Sequence, residues 1–268
     1  MSISEVFPNP TVKQIIFQIK FPNLFYMENK IGDLQVKIME KFPQSALLFR
    51  RQFIIADLGP KGKIENIPGD LDEEGGKKIW QFKSNNNFEL NVVSDSLDIN
   101  SYYHKTYNLE GGEKFREILK FVLDNFFEVT KISIINRIGL RYIDECPIPS
   151  KNNTIFESYY NSVFPLERFD LVNANEMDFK TTIKKGKYYL RYAESLKKIG
   201  NKYKLILDFD GFAENINSKD YLKVTDKLHT IIAEEYIKTI KEPVYEYMRQ
   251  KKEDWRWIFR KKIIITET

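Results

Sequence analysis

Asp208 and Asp210 stand one residue apart, and in an extended strand that spacing turns both carboxylates to the same face. Two carboxylates so placed could hold Mg²⁺ for phosphoryl transfer. Equally, they could mark a strand end leaving the core at Gly211, with the acids in water or paired to arginine. Arg137 and Arg141, with Gly139 between them, share one face of another predicted strand, while Ile138, Leu140 and Tyr142 share the other. Guanidinium groups at this spacing can line a groove for phosphate or carboxylate, with Gly139 letting a ligand or backbone come close. The alternative is internal: cross-strand pairs from these arginines to Asp208 or Asp210 that hold the sheet in register. Further on, Trp255, Arg256, Trp257, Arg260, Lys261 and Lys262 interleave rings with cations. Stacking plus phosphate contact is how single-stranded nucleic acid is held without sequence preference. The same residues suit docking of a protein partner, or a helix end in which Trp255, Ile258 and Phe259 pack onto the sheet before an edge strand at Ile263 to Ile265.

Other catalytic signatures are absent. The chain has no phosphate-binding glycine loop, no dinucleotide fingerprint, no His-Glu-x-x-His and no Gly-x-Ser-x-Gly. Two histidines and one cysteine leave few members for a metal site or a nucleophile–base pair. His104, beside Tyr102 and Tyr103, and His229, beside Leu228, read as structural or surface residues. Nothing calls for a cofactor. The net charge of +4 is unevenly spread, with an acidic stretch from Asp70 to Glu74 and a basic one from Arg249 to Lys262. That balance is compatible with an acidic partner or nucleic acid. The lone Cys146 excludes a disulfide framework. No apolar run reaches the roughly 18 residues of a membrane span, and Met1 to Pro10 lacks signal-peptide character. These features predict a cytoplasmic protein with no membrane contact.

The elements that must position these side chains follow from periodicity. The 268 residues are 42% hydrophobic and 14% aromatic, enough for a fully folded protein rich in sheet. Ile15, Phe17, Ile19 and Phe21 alternate in a strand over 12–21. Ile31, Leu34, Ile38, Met39 and Phe42 then fall on one helical face, ended by Pro43. Strands are predicted at 46–55, 78–83, 88–93 and 96–103, with a polar loop over 59–76 and a turn at Asn85 to Asn87. A second helix carries the stripe Phe115, Ile118, Leu119, Val122 and Phe126. The order then repeats: a strand over 132–143 closed by Pro147 and Pro149, a short helix over 155–164, and a hairpin of 178–184 with 187–194. A strand over 202–209 and a helix after an N-cap at Ser218 complete the set, the helix buried through Tyr221, Val224, Leu228, Ile231 and Ile232. The expected fold is α+β, a largely antiparallel sheet with covering helices. It is built from two similar strand–helix–strands–helix halves, 1–130 and 131–268, forming one compact unit.

Four stretches also carry a resemblance. Asn9-Pro10 leads into Ile16-Phe17-Gln18-Ile19-Lys20-Phe21, and Ile31-Gly32-Asp33-Leu34-Gln35, Trp80-Gln81-Phe82-Lys83-Ser84 and Arg137-Ile138-Gly139-Leu140-Arg141-Tyr142-Ile143 follow. Together with Leu228-His229, their order resembles a sporadically distributed family of uncharacterised bacterial and archaeal proteins. The chain departs from that pattern at Thr11, where the family has Pro, and at Asp144, where it has Asn. No catalytic residue carries over. What the resemblance implies is a horizontally mobile gene in a defence or mobile-element setting. The expected function is therefore a non-enzymatic binding or accessory protein acting through protein or nucleic-acid contacts. Nucleic-acid binding as the main activity is the first alternative, and metal-dependent phosphoryl transfer through Asp208 and Asp210 the second.

Overall fold

Ile15, Phe17 and Ile19 alternate with Ile16, Gln18 and Lys20, and the pleat sends the first three to a fully buried face while the others stay at least partly exposed. That parity, carried from strand to strand, organises the computed structural model, which describes residues 5–50, 77–199 and 202–250. The expected loop 59–76, the segment with Trp255, Arg256, Trp257, Arg260, Lys261 and Lys262, and the strand at Ile263 to Ile265 lie outside the described residues. In chain order the elements are β1 (Val12–Lys20), α1 (Met27–Ile38), β2 (Gln44–Arg50), β3 (Lys77–Lys83), β4 (Phe88–Val93), β5 (Ser96–Ser101) and α2 (Phe115–Thr130). They continue with β6 (Ile134–Pro147), α3 (Asn153–Tyr159), β7 (Met177–Lys185), β8 (Tyr188–Ile199), β9 (Lys202–Asn217), α4 (Tyr221–Thr239) and α5 (Glu242–Arg249).

The nine strands form one antiparallel sheet in the order β2-β3-β4-β5-β1-β6-β9-β8-β7, so the fold is α+β. Residues up to 130 supply one side of the β1–β6 contact and later residues supply the other. Read outward from that contact, the two sides run β5-β4-β3-β2 and β9-β8-β7. Each side places a helix after its first strand and a long helix after its last. Gly186 (φ 65°) turns β7 into β8 and Asn87 (φ 54°) turns β3 into β4, both in the left-handed region that those residue types tolerate.

Helices cover one face. Phe115, Ile118, Leu119, Val122 and Phe126 of α2 and Val224, Leu228, Ile231 and Ile232 of α4 are buried, as the 3.6-residue stripes predict. The Phe126 ring sits 5.3 Å from that of Phe21, and α1 packs on α2 with Leu34 and Ile38 buried. Each such side chain contributes about 1.5–3 kcal/mol by leaving water. Met39 departs from its predicted stripe: it is exposed, because α1 ends at Ile38 and the chain turns to bury Phe42.

Several boundaries also differ from expectation: β5 ends at Ser101 and β8 runs on to Ile199, while 51–55 of the strand expected over 46–55 lie outside the described residues. β6 continues past Ile143 to Pro147, because its pairing with β1 stops at Asp144 and a proline lacking N–H is tolerated where only β9 is bonded. β9 runs through Gly211 to Asn217, so that glycine ends nothing. It lies under α4, where an added Cβ would come 3.2 Å from Ile232 Cδ1, and its role is close helix approach. α3 stops at Tyr159, since Tyr160 bridges to Ile240 and the Asn161 N–H bonds Thr239 O at 2.8 Å. Before α4, the Asn217 side chain rather than Ser218 accepts the free N–H, from Lys219, and a short 3₁₀ turn intervenes. Among the described residues no helix is long and apolar enough to cross a membrane.

Candidate functional site

The face of the sheet opposite α1, α2 and α4 is polar. On β6, Arg137, Gly139 and Arg141 point to it, as strand parity predicts, and β9 adds Asp208 and Asp210 from the neighbouring strand. Arg141 grips Asp208 with two bonds, Nε to Oδ1 at 2.7 Å and Nη2 to Oδ2 at 2.5 Å. Arg137 Nη2 reaches both oxygens of Asp210 at 3.1 and 3.0 Å, and Arg191 Nη1 of β8 joins at 3.3 Å. Register puts Glu214 opposite Arg137, so Arg137 reaches Asp210 by folding back along the strand. Gly139 makes that possible: a Cβ there would meet Arg137 Nη1 at 2.6 Å. The space that glycine opens is filled by the protein's own guanidinium.

The arginines and aspartates therefore meet in one cluster. The cross-strand pairs exist, and beside them a hollow of about 350 Å³ remains, lined by Gln18, Lys20, Arg137, Arg141, Arg191 and Asp210 over the Gly139 floor. Lys20 and three arginines face two carboxylates here, so the hollow keeps a positive excess. Phe212 lies alongside, stacked on Tyr189 (5.1 Å, 14°), with the Arg137 and Arg191 guanidiniums 4.6 and 5.8 Å from its centroid. Asp208 and Asp210 share a face as the metal reading requires. Both, however, are held by guanidiniums, and among the described residues no third Asp, Glu, His or Cys joins them in a metal-sized group. Toward β3 the open face becomes an amide–carboxylate ladder: Gln81 donates to Asn91 at 3.1 Å, and Asn91 and Asn100 donate to Asp98 at 3.0 and 2.7 Å.

A second constellation lies on the helix side. Between α4, residues 105–109 and the lead-in before β1 there is a cavity of about 690 Å³, with Asp144 and Tyr142 of β6 at its base. Asp144 Oδ1 accepts a 2.7 Å bond from the Thr11 hydroxyl, which in turn takes the Tyr236 hydroxyl at 2.6 Å. Burial pushes the Asp144 carboxyl up to about 7, opposed by the Thr11 bond. His229 stacks on Tyr107 (4.3 Å, 19°) and lies 3.2 Å from the Tyr142 hydroxyl, and burial pulls its pKa down to about 4. At the rim Arg116 clasps Asp226 through Nε and Nη2 at 2.8 and 2.9 Å, and the Tyr107 hydroxyl donates to the same carboxylate at 2.8 Å. His104 is a core residue: the Ser101 hydroxyl bonds its Nδ1 at 2.7 Å, Nε2 has no hydrogen-bond partner among the described residues and lies 4.0 Å from Glu113 Oε1, and burial lowers its pKa to about 4.

Sequence reasoning missed Asp144, His229 and Arg191 as site members. A signal existed for Asp144. Ile138, Leu140 and Tyr142 alternate onto the buried face, and continuing that parity past Ile143 puts a carboxylate among them. Arg191 alternates with Tyr189 in the same way. His229 had no local signal, because the cavity forms from separate segments spread from the lead-in to α4. Compared with models of protein families, with curated proteins and with solved structures, the chain matches none.

Proposed function

We propose that this protein acts by binding rather than catalysis, as an accessory factor that holds a carboxylate-bearing protein partner against the face of its sheet that no described helix covers. The observation behind this reading is the cationic hollow over Gly139, where Lys20, Arg137, Arg141 and Arg191 outnumber Asp208 and Asp210. Arg141 has five N–H donors and gives two to Asp208, leaving the others for an incoming anion. Size favours a protein. Nine strands at ~4.8 Å spacing and roughly 20 Å of strand give a face near 800 Å², the area one partner contributes to a stable interface. On the sequence resemblance alone, we place this binder in a defence or mobile-element setting.

Nucleic acid on the same face is the second reading, favoured by the Phe212–Tyr189 pair beside the guanidiniums, since ring faces stack on bases. Phosphoryl transfer would first have to free Asp208 and Asp210 from their arginines. The test is a photo-crosslinking residue at Gln18, used in the native host. The expected product is a protein adduct that resists nuclease and disappears when Arg141→Glu and Arg191→Glu are combined in a folded variant. A nuclease-sensitive adduct supports the second reading, and an adduct indifferent to charge reversal removes the site.

A further inference from the structure

The cavity on the helix side is independent of the sheet face and has the opposite charge. Four carboxylates border it, Glu5, Asp144, Asp226 and Glu234, against Lys105 and Arg116. Two of the four are answered within the protein: Asp226 by Arg116 and Glu5 by Arg249. Asp144 is different. It is 5% exposed, it sits at the base of the cavity, and among the described residues its only hydrogen bond comes from the neutral Thr11 hydroxyl. Lys13 acts on it only electrostatically, and a buried carboxylate with no cation bonded to it is costly.

We propose that this cavity binds a small organic cation, an ammonium or amidinium on an apolar ring-sized body, with Asp144 as its counter-ion. The volume, about 690 Å³, falls among pockets that enclose whole small ligands. Its walls suit such a body. Phe7, Tyr107, Tyr142 and Tyr236 supply aromatic surface, and Ile232 and Met248 aliphatic surface. The Thr11–Tyr236 hydroxyl chain fixes one Asp144 oxygen and leaves the other for the ligand.

Proton linkage gives the proposal a signature. In the empty cavity burial holds the Asp144 carboxyl near 7, so it is about half protonated at neutral pH. A bound cation makes it ionise. The groups around it are Tyr142 and Cys146 on its own strand, Thr11 and Lys13 from β1 and its lead-in, and His229 and Tyr236 from α4, with Asp208 of β9 acting on it from the other face of the sheet. The low pKa of His229 keeps it neutral above about pH 5, and the tyrosines stay protonated, so Asp144 alone changes charge in the window used.

The probes are benzamidine, phenethylamine and tryptamine, with 2-phenylethanol and phenylacetate as neutral and anionic counterparts, each titrated into the full chain by calorimetry. The amines are expected to bind at pH 8 and the counterparts at least tenfold more weakly. Amine binding should release about half a proton at pH 7 and nearly none at pH 8.5. Asp144→Asn, which keeps the Thr11 bond, should weaken the amines at least 30-fold. Ala233→Trp, which fills the cavity from α4, should do so as well. Failure of all three amines to bind at millimolar concentration overturns the proposal. So does binding that is equal for 2-phenylethanol or unchanged in both variants. Arg191→Glu, which reverses a charge of the sheet-face hollow, should leave amine binding untouched, which separates this outcome from the fate of the sheet-face reading.

Discussion

Replacing Asp144 by Asn should make the protein more stable, but only above a certain pH. In the folded state burial raises the carboxyl from 3.8 to about 7, while in the unfolded chain it titrates in water. Between these values the folded protein holds a proton that the unfolded chain has lost, so Asp144 favours folding below about pH 4 and disfavours it as pH rises through 7. Asn has no charge to bury and accepts the same Thr11 hydrogen bond. The stability difference between the variant and the parent should thus be near zero at pH 4, grow by about 1.4 kcal/mol per pH unit, and level off above pH 7. Three units set a ceiling of about 4 kcal/mol, and solvent reaching Asp144 through the cavity brings the expected plateau to about 2–3 kcal/mol. His104 and His229 weaken the fold in the opposite direction, between pH 6.5 and about 4, but both occur in parent and variant and cancel in the difference. Urea titrations followed by tryptophan fluorescence at pH 4.5, 6, 7 and 8 measure it directly. A difference that is flat with pH, or a variant less stable than the parent at pH 8, would refute the account of Asp144 as an unanswered buried acid.

Other expectations are simpler to check. Asp210→Ala leaves Arg137 and Arg191 without their carboxylate in a mostly buried place and should cost about 3 kcal/mol, against about 1 kcal/mol for Asp208→Ala, whose partner Arg141 is nearly half exposed. Chemical denaturation of both variants ranks them, and equal losses would contradict the burial argument. Gly211→Ala drives a methyl against Ile232 and should cost about 1–2 kcal/mol through a displaced α4, read as a lowered Tm. Cys146, the single thiol of the chain, is 1% exposed, and burial pushes its pKa up. Its labelling by a disulfide reagent at pH 8 should match the rate of unfolding, and labelling within seconds in buffer would show that this part of the core is open.

Much of the fold is legible in the sequence because its elements are amphipathic. The alternation of Ile15, Phe17 and Ile19 and the stripe of Phe115, Leu119, Val122 and Phe126 each satisfy one periodicity and violate the other. Where the reading failed, a punctuating residue had a tertiary job. Gly211 looks like a strand end and is a helix seat; Pro147 looks like a stop and is the last residue of a strand bonded on one side. α5, with only Val244 and Met248 buried among eight residues, is too short to show a period. The arginine–aspartate cluster was half visible, since parity gives the face of each side chain but not which strands become neighbours. The cavity around Asp144 was hidden altogether: Thr11, Asp144 and His229 meet only once the sheet and α4 are assembled. Thr11 and Asp144, 133 positions apart in the chain, bond to each other, which no reading of a single strand reveals.

The antiparallel pairing at the middle of the sheet also sets a clock for folding. Lys20 of β1 pairs with Arg137 of β6, and Ile134 of β6 pairs with Asn217 of β9, so the central contacts join residues far apart in the chain. Such non-local topologies fold slowly, because loop closure must precede any reward. At the pace of synthesis, about 5–20 residues per second, β1 leaves the ribosome roughly 6–25 seconds before its partner strand exists. For that interval its apolar face is guarded by what α1, β2 to β5 and α2 can assemble, and its outer edge is an open template for another chain. The nascent protein is thus most vulnerable to aggregation at the seam where β6 later pairs with β1, and a holdase chaperone would be expected to act there, on the first half of the chain.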